Sequence, residues 1–103
     1  MNDRPSRIQL DLNNPEFQAN LLAMHKPDAW AVLQSLRLLQ AVRWEQLQAS
    51  TGLRWELIQS RRGPCGEQLY SLRLSRNCRA VAWRDGLWLR LLSLHPDPDS
   101  AYR

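Results

Sequence analysis

A chain of 103 residues, 44% hydrophobic and 23% charged, has the size and composition of one globular domain, which argues against two domains and against wholesale disorder. Its formal net charge of +4 is unevenly placed: residues 1–52 are neutral, while residues 53–103 carry nine Arg against five acidic residues. No stretch approaches the roughly 20 apolar residues of a membrane span, and the opening MNDRPSRIQLDL has no apolar core of signal-peptide length.

Taken in chain order, Ile8-Gln9-Leu10-Asp11-Leu12 alternates apolar and polar residues and predicts a short strand or extended arm. Asn14 before Pro15 reads as a helix start, a capping side chain followed by a residue suited to the first helical position. Phe17, Leu21, Leu22 and Met24 supply that helix with an apolar stripe. Pro27 opens a second helix, which Trp30, Leu33 and Leu36, with Val32 and Leu39, carry to about Gln40. Trp44–Ala49 predicts a short third helix, or a continuation of the second, that Thr51-Gly52 stops.

After Gly52 the period changes to two. Leu53, Trp55 and Leu57 predict a strand, and Ser60–Gly66 an irregular basic loop. Leu69–Leu74, Cys78–Arg84 and Leu87–Leu94 predict three more strands, the last two joined at Asp85-Gly86, a strong hairpin signal. The expected fold class is α+β: N-terminal helices packed on one face of a four-stranded, mainly antiparallel sheet, with the N-terminal strand as a candidate fifth. One domain is expected over 1–103, with helices over about 14–50, the sheet over about 53–95 and a tail over 96–103.

The Asp-Gly turn sets a register in which Arg84 pairs with Leu87, Trp83 with Trp88 and Val81 with Arg90. Paired residues share a face and faces alternate. One face then holds Cys78, Ala80, Ala82, Leu87, Leu89 and Leu91, apolar enough to seat the helices. The other holds Arg79, Val81, Trp83, Trp88, Arg90 and Leu92. Placing Tyr70, Leu72 and Leu74 with the apolar set needs an odd loop, Ser75-Arg76-Asn77, with Asn77 left-handed. Arg73 then faces Arg79. Strict alternation puts His95 on the helix side unless a bulge or the strand's end turns it.

Thirteen of the fourteen basic residues are Arg. Arg forks onto phosphate and stacks on bases, so a polyanion partner is one source of this bias; a G- and C-rich genome is the other. An Arg73–Arg79–Arg90 surface beside Trp83 and Trp88 favours a phosphate- or base-binding face over a plain solvated one. Cys65 and Cys78 form no CxxC and no cluster with His, so neither a metal site nor a disulfide framework is expected. Free thiols point to the cytoplasm, and no cofactor is expected.

The run Gly52-Leu-Arg-Trp-Glu-Leu-Ile, Leu69-Tyr-Ser-Leu-Arg-Leu, Cys78-Arg-Ala-Val-Ala-Trp and Trp88-Leu-Arg-Leu-Leu-Ser-Leu-His resembles the RelE/ParE toxin superfamily, most of all its RelE and HigB branch. The match covers about residues 52–102 with the order and spacing of strands intact. The resemblance implies a small bacterial toxin that cleaves mRNA on the ribosome without a metal and is neutralised by a cognate antitoxin. No membrane and no small-molecule cofactor are implied.

Such cleavage needs a base for a ribose 2′-hydroxyl, positive charge for the phosphorane and an acid for the leaving 5′-oxygen. By resemblance, Arg73 and Arg79 clamp the phosphate, and His95 is the C-terminal general acid or base. Tyr102 stacks on a base or assists proton transfer. Arg61, Arg62, Trp83, Trp88 and Arg90 are the further candidates for holding RNA. Two other readings stand beside this one. A ParE-like gyrase inhibitor would need no His. A winged-helix DNA binder would use the helix-turn-helix-like run Val42–Arg54, although Leu53–Ile58 reads as period two.

Overall fold

In the computed structural model, which describes residues 7–96, Asn14 caps a helix as its side chain suggests. Its Oδ1 accepts from the backbone N–H of Glu16 at 2.8 Å and of Phe17 at 3.3 Å. That helix, α1, runs Pro15–Leu22, after a short strand β1 at Gln9–Asp11. Two more helices follow, α2 at Lys26–Leu39 and α3 at Trp44–Ala49. The rest of the described chain is sheet: β2 at Glu56–Arg62, β3 at Gln68–Ser75, β4 at Cys78–Asp85 and β5 at Trp88–His95. Spatial order is β1-β5-β4-β3-β2, antiparallel except where β1 runs parallel to β5. The expected α+β class holds, and the candidate fifth strand forms. No helix among the described residues is long and apolar enough to cross a membrane.

Two stripes compete on α2. Of the residues expected on its apolar stripe, Trp30 and Leu33 are 55% and 39% exposed. Val32, Leu36 and Leu39 are buried as expected. Both sets have helical spacing, but the one through Trp30 and Leu33 continues into Arg37, whereas Val32, Leu36 and Leu39 are apolar throughout. They meet Leu72, Leu74, Ala80, Ala82, Leu89, Leu91 and Leu94 from the sheet, with Phe17, Trp44 and Leu47 completing the main core.

The sheet departs from expectation at three places. The first strand begins at Glu56, not Leu53. Arg54 sits in a turn at φ 51, and Leu53 and Trp55 reach the core from that turn, so their alternation reflects packing without a ladder. β2 then continues to Arg62 through residues expected as loop, because beyond the buried Ile58 this edge strand is exposed on both faces and needs no apolar pattern.

At the β4–β5 hairpin, Asp85 pairs with Trp88, so the turn is Gly86-Leu87 with Gly86 at φ +62. Asp85 belongs to the ladder, where its carboxylate accepts from Arg90 Nε at 3.0 Å. The register moves by two residues, a whole period, so the expected faces survive. The third departure is the β3–β4 turn. Arg73 pairs with Arg79 as expected, but a register shift then lets Ser75 pair with Cys78. That shift absorbs the residue which a three-residue loop was to supply. Asn77 is not left-handed, Arg54 being the one non-glycine with positive φ among the described residues.

Both borders of β5 are satisfied. Below, β1 docks in parallel: Gln9 N–H donates to Leu87 O at 2.9 Å, and Arg90 Nη1 meets Asp11 Oδ2 at 2.6 Å. Arg90 also pairs with Asp85 at 2.9 Å. The Asn13 backbone N–H, and after it the hydrogen bond and charge of Arg90, hold the Asp11 carboxyl below its ordinary range. Above, Leu94 N–H donates to Asn20 Oδ1 of α1 at 2.9 Å, so a helix side chain replaces a neighbouring strand.

Leu72→Ala empties a site with no exposure and should lower unfolding free energy by about 2–5 kcal/mol, against about 1 kcal/mol for Asn14→Ala, as read by urea denaturation. Arg90→Met should act locally. Amide hydrogen exchange at Gln9 and Asp11 should speed up while the β3–β4 amides keep their protection; uniform loss would show that β1 is not a separable unit.

Candidate active site

Arg73, Arg79 and His95 stand in one row across three adjacent strands, with Arg73 opposite Arg79 and Arg79 opposite His95. Neighbouring strands are about 4.8 Å apart, so the three Cα positions span about 10 Å. The position of His95 depends on a bulge. Below it Ala82 pairs with Leu91, above it Val81 pairs with Ser93, and Leu92 is the extra residue. Strict alternation is therefore broken by one, which turns His95 from the helix side to the arginine side. Leu94 goes to the core in its place, at 3% exposed.

The His95 ring is partly buried, and Ser93 Oγ lies 3.0 Å from its Nε2. Burial lowers its pKa below the ordinary 6.5, the charge of Arg61 lowers it further, and Glu16 on α1 opposes both. The imidazole is thus neutral at pH 7 and has a lone pair to offer. Ser93 and Glu16 carry no signal in the sequence; the bulge brings in the first and the packing of α1 on β5 the second.

The other expected residues divide. Arg61 acts electrostatically on His95, whereas Arg62 Nη1 donates to Gly66 O at 3.3 Å and steadies the β2–β3 turn. Trp83 lies four residues from Arg79 along β4, about 13 Å at strand rise. There the guanidinium of Arg90 lies 5.8 Å from the Trp83 ring centre and 5.5 Å from that of Trp88, held by Asp11 and Asp85. Ile58, Leu69 and Val81, with Leu92 and Trp83 packed against them, fill the middle of the face. The expected continuous arginine–tryptophan surface is two separate ends with an apolar patch between them. Trp88 is 43% exposed and open to a ligand; the charge of Arg90 is already answered by two carboxylates. Tyr102 lies outside the described residues.

Cys78 is buried beside the row, and burial pushes its thiol up to about 11, so it offers no thiolate at neutral pH. Among the described residues no three of His, Cys, Asp and Glu converge on one point. The run Val42–Arg54 is α3 followed by a turn, so no recognition helix follows it.

No family model matches the chain, and no curated protein sequence matches it. Among solved structures, the archaeal RelE–RelB complex from Pyrococcus horikoshii OT3 matches over 91% of this chain and 97% of that chain, with a TM-score of 0.58 and 16% sequence identity. At that identity the likeness is one of architecture, and by architecture this chain has the RelE-like fold.

Proposed function

We propose that this chain is a toxin of the RelE type, an endoribonuclease that cleaves mRNA on the ribosome by 2′-hydroxyl attack and is held in check by a small antitoxin protein. The observation that carries the reading is the Arg73–Arg79–His95 row. Two guanidinium groups on adjacent strands suit a phosphate that accepts from both, and an imidazole one strand further suits a proton acceptor beside it. The fold shared with a toxin crystallised with its antitoxin supports the partner. A cytoplasmic site of action goes with both.

These groups carry the reaction, with Tyr102 a second candidate for the last proton. Neutral His95 takes the proton of a ribose 2′-hydroxyl as its oxygen attacks the adjacent phosphorus. Arg73 and Arg79 stabilise the negative charge that grows on the phosphorane oxygens, in place of a metal ion. The P–O5′ bond breaks, and the imidazolium or the Tyr102 hydroxyl gives O5′ its proton. The products are a 2′,3′-cyclic phosphate and a 5′-hydroxyl. A gyrase-binding role on the same fold would make no use of the row.

Arg79→Ala should slow cleavage of mRNA by on the order of 10²–10³, the cost of one preorganised charge at the transition state. Growth arrest on induced expression should weaken with it. His95→Gln should lose most cleavage but keep affinity, since the arginines hold the phosphate. Equal arrest by all three proteins would point to the gyrase-binding reading.

The pH profile carries a sign. A base with its pKa below 6.5 is protonated and idle in acid, so kcat/KM should rise with pH through a midpoint below 6.5 and then level off. A rate that falls over that range would make the imidazolium, acting as an acid, the limiting form. EDTA should leave the profile unchanged.

A further inference from the structure

The bulge that turns His95 to the open face also turns Ser93, and the two land two residues apart with the hydroxyl 3.0 Å from Nε2. Ser93 is 5% exposed. A buried hydroxyl this close to a ring nitrogen restricts both the rotation of the imidazole and the choice of tautomer.

Resting on the nuclease reading, we infer that Ser93 is a positioning residue: its Oγ accepts from Nε2–H of His95, holds the ring in that tautomer, and leaves the Nδ1 lone pair as the base that takes the 2′-hydroxyl proton. Sterics and charge agree with this assignment. Nε2 faces into the sheet toward Ser93, so Nδ1 is the nitrogen left for a substrate. When Nδ1 accepts a proton the imidazolium keeps its Nε2–H bond to the Ser93 oxygen, so the charged form is not stranded without a partner. The remaining charges around the ring are Arg79 on β4, Arg73 beyond it on β3, Arg61 on β2 and Glu16 on α1. None of these changes when the hydroxyl is removed.

The test is Ser93→Ala, with Ser71→Ala as the control. Ser71 is also buried and stands in the same row two strands away, opposite Val81. Nitrogen-15 spectra of the His95 ring through a pH titration report tautomer and midpoint without reference to activity. The wild type should show the Nε2–H form at neutral pH. Ser93→Ala should mix the tautomers and lower the midpoint, and Ser71→Ala should do neither. In cleavage assays Ser93→Ala should cost about 10-fold in kcat with little change in KM, the size of one neutral hydrogen bond.

An Nδ1–H tautomer in the wild type would overturn the assignment. So would spectra of Ser93→Ala that match the wild type. If the spectra change as expected but the wild type cleaves no RNA, the tautomer assignment stands and the nuclease reading falls.

Discussion

The place of His95 beside the paired arginines depends on a single extra residue in β5. Below Leu92 the strand sends Leu89 and Leu91 to the helices and Trp88 and Arg90 to the open face. Above it the order inverts, so Leu94 reaches the core while Ser93 and His95 face outward. An unbulged strand would set Ser93 and His95 among the leucines under α1 and take Leu94 out of them. Burying a leucine side chain is worth about 1.5–3 kcal/mol, and a polar group left without a partner in an apolar core costs about 1–3 kcal/mol. Both terms favour the bulge, which leaves Ser93 buried but beside His95. Asn20 adds to them, because its side chain receives the Leu94 N–H that has no neighbouring strand above β1. Core packing and site geometry are here one constraint: the sequence Leu91-Leu92-Ser93-Leu94-His95 fits the core only in the arrangement that presents its histidine.

The open face is organised by where its charge is already answered. At the hairpin end, Arg90 lies between Asp11 and Asp85, which joins β1 to β5 and draws Asp85 into the ladder. That ion pair acts as an architectural clamp, and the tryptophans on either side cover the guanidinium. At the far end the row holds two arginines opposite one another, and Glu16 is the acidic residue whose charge bears on His95. The apolar patch of Ile58, Leu69 and Val81 keeps the ends apart. A phosphate approaching the row would meet Arg73 and the largely buried Arg79; at the hairpin end it meets a guanidinium already holding two carboxylates.

Much of this was legible from residues alone. The order of helices before strands, the Asn14-Pro15 helix start and the Arg73–Arg79 pairing all follow from local chemistry and alternation, whereas the alternation of Leu53 and Trp55 belongs to a turn. The hairpin register is off by two residues, yet the faces are unaffected, because a side-chain period of two forgives an even slip. An odd slip is not forgiven, and Leu92 introduces one. Whether a strand bulges depends on what packs beneath it, which no local pattern contains. The same holds for Arg90, whose partner Asp11 lies 79 residues away, and for α2, where two helical stripes were available and the sheet selected one. Site residues supplied by local pairing were readable; those supplied by tertiary packing, Ser93 and Glu16, were not.

The charges around His95 also suggest why a neutral base and a phosphate clamp belong together on the nuclease reading. Arg61 and burial both disfavour the imidazolium in the empty site. An anion bound across Arg73 and Arg79 brings negative charge beside the ring and removes part of that penalty. Proton affinity at His95 and anion affinity at the arginines must then rise together, since each binding event stabilises the state the other needs. The ring therefore holds a proton less readily while the site is empty, and becomes a stronger base as the phosphate arrives. That order serves a reaction whose first proton must be accepted only once the phosphorus is in place.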